Sequence, residues 1–182
     1  MTPAARSSVA AGDLRLLRAV IELEQHVAGD GWDQPVRLYA LVETGALLAE
    51  QPALAAQLGL AGERAAELTS IEQEELPAYA SLDELLSGIA WPDEVSGTAL
   101  VVERVMLPPE AEAAMPDDDA EALSWVASHA ERPDVRIAVA VLRDGSRQCA
   151  VRMRAHDTDD AVLSGPDLVP GLADALAGTL VD

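Results

Sequence analysis

A chain of 182 residues is of single-domain length and long enough to bury roughly 70% of the surface its unfolded form exposes. Thirty-two acids against twelve basic residues give a net charge of −20, which argues against binding the nucleic-acid backbone or an anionic membrane, since both depend on clustered positive charge. One cysteine, Cys149, excludes an internal disulfide and a cysteine-rich zinc module and fits a reducing cytosol, and no run approaches the roughly 18 apolar residues of a membrane span.

The charge is unevenly spread. From Met1 to Leu60 there are seven acids and four arginines, from Ala61 to Asp134 eighteen and three, and from Val135 onward seven and five. The middle of the chain therefore carries −15 of the total. Such a run reads first as a solvated face, and second as a docking surface for a basic partner or a mimic of nucleic acid. Phe, Lys and Asn are absent, a pattern that fits the coding bias of a GC-rich genome, so the choice of arginine over lysine carries no chemical message at any one site. The aromatics are Trp32, Trp91, Trp125, Tyr39 and Tyr79, and the core must be built from small aliphatic side chains.

MTPAARSSVAAGD lacks the apolar stretch of a secretory signal and reads as a flexible leader over residues 1–11, with one domain over 12–182. Asp13 is placed to cap a helix running to about Ala28, whose stripe is Leu16, Val20, Leu23 and Val27, widened by Leu17 and Ile21. GDGWDQP then breaks the pattern with a loop that carries an aromatic. Val36 to Val42 reads as a strand, Thr44 as the cap of a short helix, Pro52 as the first turn of its continuation and Gly59 as its end. Thr69 with Glu72 has capping-box spacing, which predicts a short helix in an acidic segment that Pro77 cuts off. Ser81 with Glu84 is a better capping box and opens a helix with Leu82, Leu85, Leu86 and Ile89 on one face. WPDEVSG is a second aromatic turn, and Thr98 to Leu107 reads as a central strand, apolar on both faces. An acidic loop after Pro108 and Pro109 leads to a helix in AEALSWVASHA.

The clearest pattern is VRIAVAVLRDGSRQCAVRMRA, Val135 to Ala155, a β-hairpin holding five arginines. A two-residue turn at Asp144 and Gly145 would set Val135, Ile137, Val139 and Val141 opposite Arg154, Arg152, Ala150 and Gln148, mixing core with charge. A three-residue loop of Arg143, Asp144 and a left-handed Gly145 instead puts Val139 opposite Cys149, Ile137 opposite Val151 and Val135 opposite Met153. One face is then apolar, and the other holds Ala138, Ala140 and Ala150 with Arg136, Arg152 and Arg154. Arg136 and Arg152 face each other, which is unfavourable unless a negative group lies between them. The plain candidate is an acid from a neighbouring helix, with Asp134 opposite Arg154 as a second such pair; the functional one is a bound phosphate, carboxylate or acidic partner segment. HDTDDAVLSGP follows as a polar loop, and a last helix is expected over Asp167 to Leu180 with Leu168, Leu172, Leu176 and Leu180 in one column. The expected fold is thus α+β, with an about four-stranded, largely antiparallel sheet that ends in the hairpin and helices packed mainly on one face.

Few residues suggest chemistry. His156, Asp157, Asp159 and Asp160 are a weak metal candidate, without EF-hand spacing or paired helical histidines, and read first as a solvated turn. His26 and His129 have no partner histidine at helical spacing, and Cys149 sits on an apolar strand face where a thiol behaves as a hydrophobe. There is no serine elbow, no phosphate-cradling glycine motif and no cofactor signature. Trp32 with Asp33, and Trp91 with Pro92, each sit in a turn before a strand; they read as corner plugs or as an interaction patch.

Three stretches carry a resemblance: GWDQPVRLYALVETGALL (Gly31–Leu48), GIAWPDEVSGTALVVERVMLPPEAE (Gly88–Glu112) and VLRDGSRQCAVRMRAHDTDDAVLSGPDLVPGLADAL (Val141–Leu176). In that order they resemble an uncharacterised family of small acidic actinobacterial proteins. The resemblance implies a cytoplasmic bacterial protein with one domain, and carries over no activity and no site residue. The function expected is a non-enzymatic domain that binds a protein partner or itself, with Trp32, Asp33, Trp91 and the acidic middle as surfaces. The rival is a small-anion binder or enzyme at Arg136, Arg152 and Arg154.

Overall fold

The computed structural model describes residues 5–62, 67–105, 118, 121 and 134–181. Its strands are β1 (Arg37–Glu43), β2 (Leu68–Glu72), β3 (Gly97–Val105), β4 (Asp134–Leu142), β5 (Arg147–Met153) and β6 (Leu163–Gly165), and its helices α1 (Ala5–Ala28), α2 (Thr44–Glu50), α3 (Pro52–Gln57), α4 (Leu82–Ser87) and α5 (Pro170–Ala177). All six strands join one antiparallel sheet in the order β2-β1-β3-β4-β5-β6. The four expected strands are its centre, and β2 and β6 are its two added edges. The α+β class therefore holds, with six strands where about four were expected.

The hairpin has the expected register. Val139 lies opposite Cys149, Ile137 opposite Val151 and Val135 opposite Met153. The Leu142 N–H donates to the Ser146 carbonyl across the three-residue loop, and Gly145, at φ +92°, takes the left-handed position of the bulge. Gly97, at the start of β3, answers a different need: a Cβ there would meet the Val141 carbonyl and come within 2.6 Å of Leu142 Cδ2. Its missing side chain lets β3 lie close against β4.

Both faces of the sheet are covered. Val135, Ile137, Val139, Val141, Cys149 and Val151 join Leu38, Leu100 and Val102 beneath α4 and α5, through Leu86, Leu172, Ala173 and Leu176. The opposite face has a floor of Ala99, Ala138, Ala140 and Ala150, on which α1 packs Leu16, Ala19, Val20, Leu23 and Val27. Small side chains let a helix approach the strands, and each fully buried Leu or Val in these layers contributes about 1.5–3 kcal/mol. Helices mainly on one face is thus corrected to helices on both, because the alanine-and-arginine face is as buried as the valine face.

Local expectations met mixed outcomes. Helix α1 runs through Asp13 and includes residues 5–11, assigned above to a leader, so Asp13 is not its cap. Thr44 begins α2 without capping it, its hydroxyl hydrogen-bonding Thr69 at 2.7 Å. Pro52 opens α3, and Gly59 follows it at φ +69°. The Thr69–Glu72 segment is strand β2, paired with β1 from Tyr39↔Glu72 to Glu43↔Leu68. Ser81 caps α4 by accepting the Glu84 N–H at 3.2 Å. The last helix starts at Pro170, with Leu172, Leu176 and Leu180 buried and Leu168 exposed. The loop after Pro109 and the AEALSWVASHA helix, with Trp125 and His129, lie outside the described residues apart from Asp118 and Glu121.

Candidate functional site

The arginine face has a geometric origin. Strand register sets Glu103 of β3, Arg136 of β4 and Arg152 of β5 in one rung on the α1 side of the sheet. Glu24, one turn beyond Val20 in the buried stripe of α1, descends onto that rung. It is 1% exposed, against 0% for Arg136 and 2% for Arg152. Arg152 Nε donates to Glu24 Oε1 at 2.6 Å and Nη2 to Oε2 at 3.0 Å, a bidentate pair, while Glu24 Oε1 lies 3.9 Å from Arg136 Nη1. The negative group between the facing arginines is therefore a carboxylate of the protein's own first helix.

Arg152 also donates to Asp157 at 3.1 Å and to Asp159 at 2.5 Å. Hydrogen bonding, to Glu24 first, raises its pKa above the ordinary arginine value despite burial. Arg136 donates to the Gly31 carbonyl and, at 3.3 Å, to Glu103, and lies 4.4 Å from the centre of the Trp32 ring. Its Nε and Nη1 are buried without a hydrogen-bond partner. That charge is balanced by Glu24, Glu103 and the ring face rather than by a full set of bonds.

The GWDQP loop closes the open side. Glu103 accepts the backbone N–H of Asp33 at 3.1 Å and of Gln34 at 2.8 Å. That pair of bonds helps hold Asp33 at φ +65°, a conformation uncommon away from glycine. Asp33 receives Arg154 bidentately at 2.9 and 3.0 Å, and Asp134 lies 3.6 Å from the same guanidinium. The hydrogen bonds from Arg154 hold Asp33 below the usual carboxylate range. Trp32 donates its indole N–H to Asp157 at 2.9 Å, and that bond, with Arg152 behind it, lowers the Asp157 pKa. Both Arg136 and Arg154 lie within 5.5 Å of the Trp32 ring centre. Three arginines thus meet six carboxylates, Glu24, Asp33, Glu103, Asp134, Asp157 and Asp159. A cavity of about 200 Å³ beside Trp32 is lined by Asp33, Glu103, Arg104, Asp134 and Arg154, so its walls carry more negative than positive charge.

The other candidates separate from this cluster. Since β1 and β3 are antiparallel, Trp91 stands at the opposite end of the sheet from Trp32. Its indole donates to the Thr179 hydroxyl at 3.0 Å, and Arg143 in the hairpin loop donates to the carbonyls of Trp91, Pro92, Val95 and Leu180. That makes it a corner plug tied to the segment after α5. Of the loop set, Asp157 and Asp159 are taken by Arg152, while His156 and Asp160 are exposed. Among the described residues no three His, Cys, Asp or Glu side chains are grouped to hold a metal ion. Cys149 is buried, which pushes its thiol pKa up.

Sequence reading missed Glu24, Glu103 and Arg143. Glu24 had a legible signal: it sits four residues after Val20 and three before Val27, inside an apolar stripe. Glu103 had a weaker one, as the lone acid among the valines of β3.

A family model described as PPA1309-like protein matches residues 16–181. The chain belongs to the PPA1309-like family. That family is uncharacterised, so membership assigns no role to the cluster. Neither the curated proteins nor the solved structures gave a match.

Two further concavities lie along β2. One, of about 530 Å³, is lined by Glu72, Gln73 and Glu74 together with Val36, Leu76 and Tyr79. The other, of about 150 Å³, is lined by Leu68, Thr69 and Ser70 with Leu58, Leu60 and Glu22. The hairpin offers no comparable edge, since β3 and β6 pair with its outer sides.

Proposed function

We propose that this protein is a non-enzymatic domain of the bacterial, specifically actinobacterial, cytoplasm that works by binding another protein. The observation that carries this reading is the internal matching of Arg136, Arg152 and Arg154 by six carboxylates. A site for a small anion would leave uncommitted guanidinium donors facing a cavity; here the cavity beside Trp32 is lined by Asp33, Glu103 and Asp134 with Arg104 and Arg154, Arg154 is held by Asp33, and Arg136 and Arg152 are closed off beneath α1. The arginines then hold the GWDQP loop and α1 to the sheet and leave recognition to the surface. The single buried cysteine fits a reducing compartment, and among the described residues no helix is long and apolar enough to cross a membrane.

The test has two arms. Affinity capture from the source organism, followed by calorimetry with the purified partner, is expected to give stoichiometric binding. A thermal-shift screen with phosphates, nucleotides and dicarboxylates is expected to leave the melting temperature unchanged. A ligand-induced rise that Arg154→Gln abolishes would overturn the reading in favour of an anion site. Salt-sensitive capture of DNA-binding proteins alone would favour nucleic-acid mimicry.

A further inference from the structure

We infer that the partner segment binds as an added strand along the outer edge of β2, and that it alternates apolar with basic residues. This deepens the protein-binding reading and rests on it. The ladder between β1 and β2 is bracketed by the Gln73 N–H donating to the Leu38 carbonyl and the Thr44 N–H donating to the Glu67 carbonyl. Antiparallel pairs alternate, so Thr69 and Ile71 turn their backbone groups toward β1, and Leu68, Ser70 and Glu72 turn theirs outward. Among the described residues no strand pairs with that side.

The two edges of the sheet differ in how they are protected. Edge β6 has three residues and is followed at once by Pro166, a short blunted edge. Edge β2 pairs over five consecutive positions with no proline or bulge. The two concavities lie at its ends, one against Leu68 to Ser70 and the other against Glu72 and Gln73. The strand residues that line them centre on Thr69 and Gln73, four positions apart, or about 13 Å of extended chain. An added strand would place side chains in both, as strand-addition domains use side-chain pockets for specificity and the backbone for affinity.

Charge selects the occupant. Among the described residues Glu22, Glu67, Glu72 and Glu74 line the two concavities with one cation, Arg37, which is committed to Asp30 at 2.8 Å and lies 3.7 Å from Glu72, while Glu67 lies 3.5 Å from Arg18. Leu58, Leu60, Leu76 and Tyr79 supply the apolar walls. An extended segment with arginine or lysine alternating with leucine or valine meets both, whereas an acidic segment is repelled by the rim and by a net charge of −20.

The test uses the full chain and synthetic eight-residue peptides that alternate Arg with Val, Glu with Val, or Arg with Val N-methylated at every residue. The Arg/Val peptide is expected to bind and to slow hydrogen exchange at Leu68, Ser70 and Glu72 at least tenfold. The Glu/Val and N-methylated peptides are expected to bind at least tenfold more weakly, the first for charge and the second for the lost backbone donors. Ser70→Pro removes one outward N–H without touching the β1 ladder and is expected to reduce Arg/Val binding tenfold at an unchanged melting temperature. Equal binding of the N-methylated peptide, protection elsewhere, or no binding would overturn the inference. A captured protein partner that binds wild type and Ser70→Pro alike would also overturn it while leaving the protein-binding reading intact; absence of any partner would remove the reading itself.

Discussion

Glu24→Gln keeps the size of the side chain and one acceptor oxygen but removes the single charge that separates Arg136 from Arg152. With Glu24 Oε1 3.9 Å from Arg136 Nη1, the attraction at an effective dielectric near 20 is about 4 kcal/mol before desolvation. The bidentate contact to Arg152 adds to it. Losing one partner of a buried ion pair costs about 3–5 kcal/mol, because the remaining charge stays buried without compensation. Arg152 retains Asp157 and Asp159, both solvent-facing, and glutamine keeps a carbonyl, so about 3 kcal/mol is expected. For a chain of this length that corresponds to a fall in melting temperature of about 6–12 °C, read by calorimetry and by urea titration. A double-mutant cycle of Glu24→Gln with Arg152→Met should show coupling of about 2 kcal/mol or more. A loss below about 1 kcal/mol, or additivity in the cycle, would refute the assignment of Glu24 as the counter-ion of the rung.

Three shorter predictions follow from the same geometry. Gly145→Ala should cost about 1–2 kcal/mol from its left-handed φ of +92° with no clash. Gly97→Ala, whose Cβ would meet β4 backbone, should be the more damaging of the two in urea titration; the reverse order would contradict the close β3–β4 approach. Asp33 and Asp157 have pKa values lowered below 3.8 in the folded protein. Their stabilisation is thus present above that value and lost as pH falls through their folded pKa values. The exchange of the Trp32 indole N–H, followed by NMR, should accelerate in that acid range before global unfolding, and flat exchange down to the unfolding transition would count against the loop closure. Cys149 is buried with a raised thiol pKa, so thiol labelling at neutral pH should proceed only at the rate of opening; rapid labelling of the native protein would contradict its placement.

The central strands were legible in the sequence because alternation and loop length fix register together, and the RDG loop admitted the register that sets Met153, Val151 and Cys149 opposite Val135, Ile137 and Val139. The edge strands were not. β2 is five residues long and only half buried, and its Thr69-x-x-Glu72 spacing serves a helix cap equally well; pairing with β1, a non-local contact, decides between them. β6 has three residues and Leu163 is 57% exposed, so it offers no burial pattern to read. The second buried face was hidden because alanines and arginines look like a solvated side. Only the placement of α1 converts Ala138, Ala140 and Ala150 into a core and Arg136 and Arg152 into buried ions. The need for an anion between those arginines was legible; its source, 128 residues away in sequence, was not.

That separation also bears on the order in which the chain assembles. Helix α1 is synthesised long before Arg152, and at about 5–20 residues per second the interval between Glu24 and its partner is about 6–25 s. During that time α1 has an apolar stripe and an acid in the middle of it, and burying the acid without a guanidinium would cost several kcal/mol. Premature collapse of α1 onto β1 or β3 is thereby disfavoured until the hairpin is made. Docking of α1 is therefore expected to follow formation of the hairpin, which pulse-labelled hydrogen exchange during refolding would check; protection of α1 amides before those of β4 and β5 would contradict it.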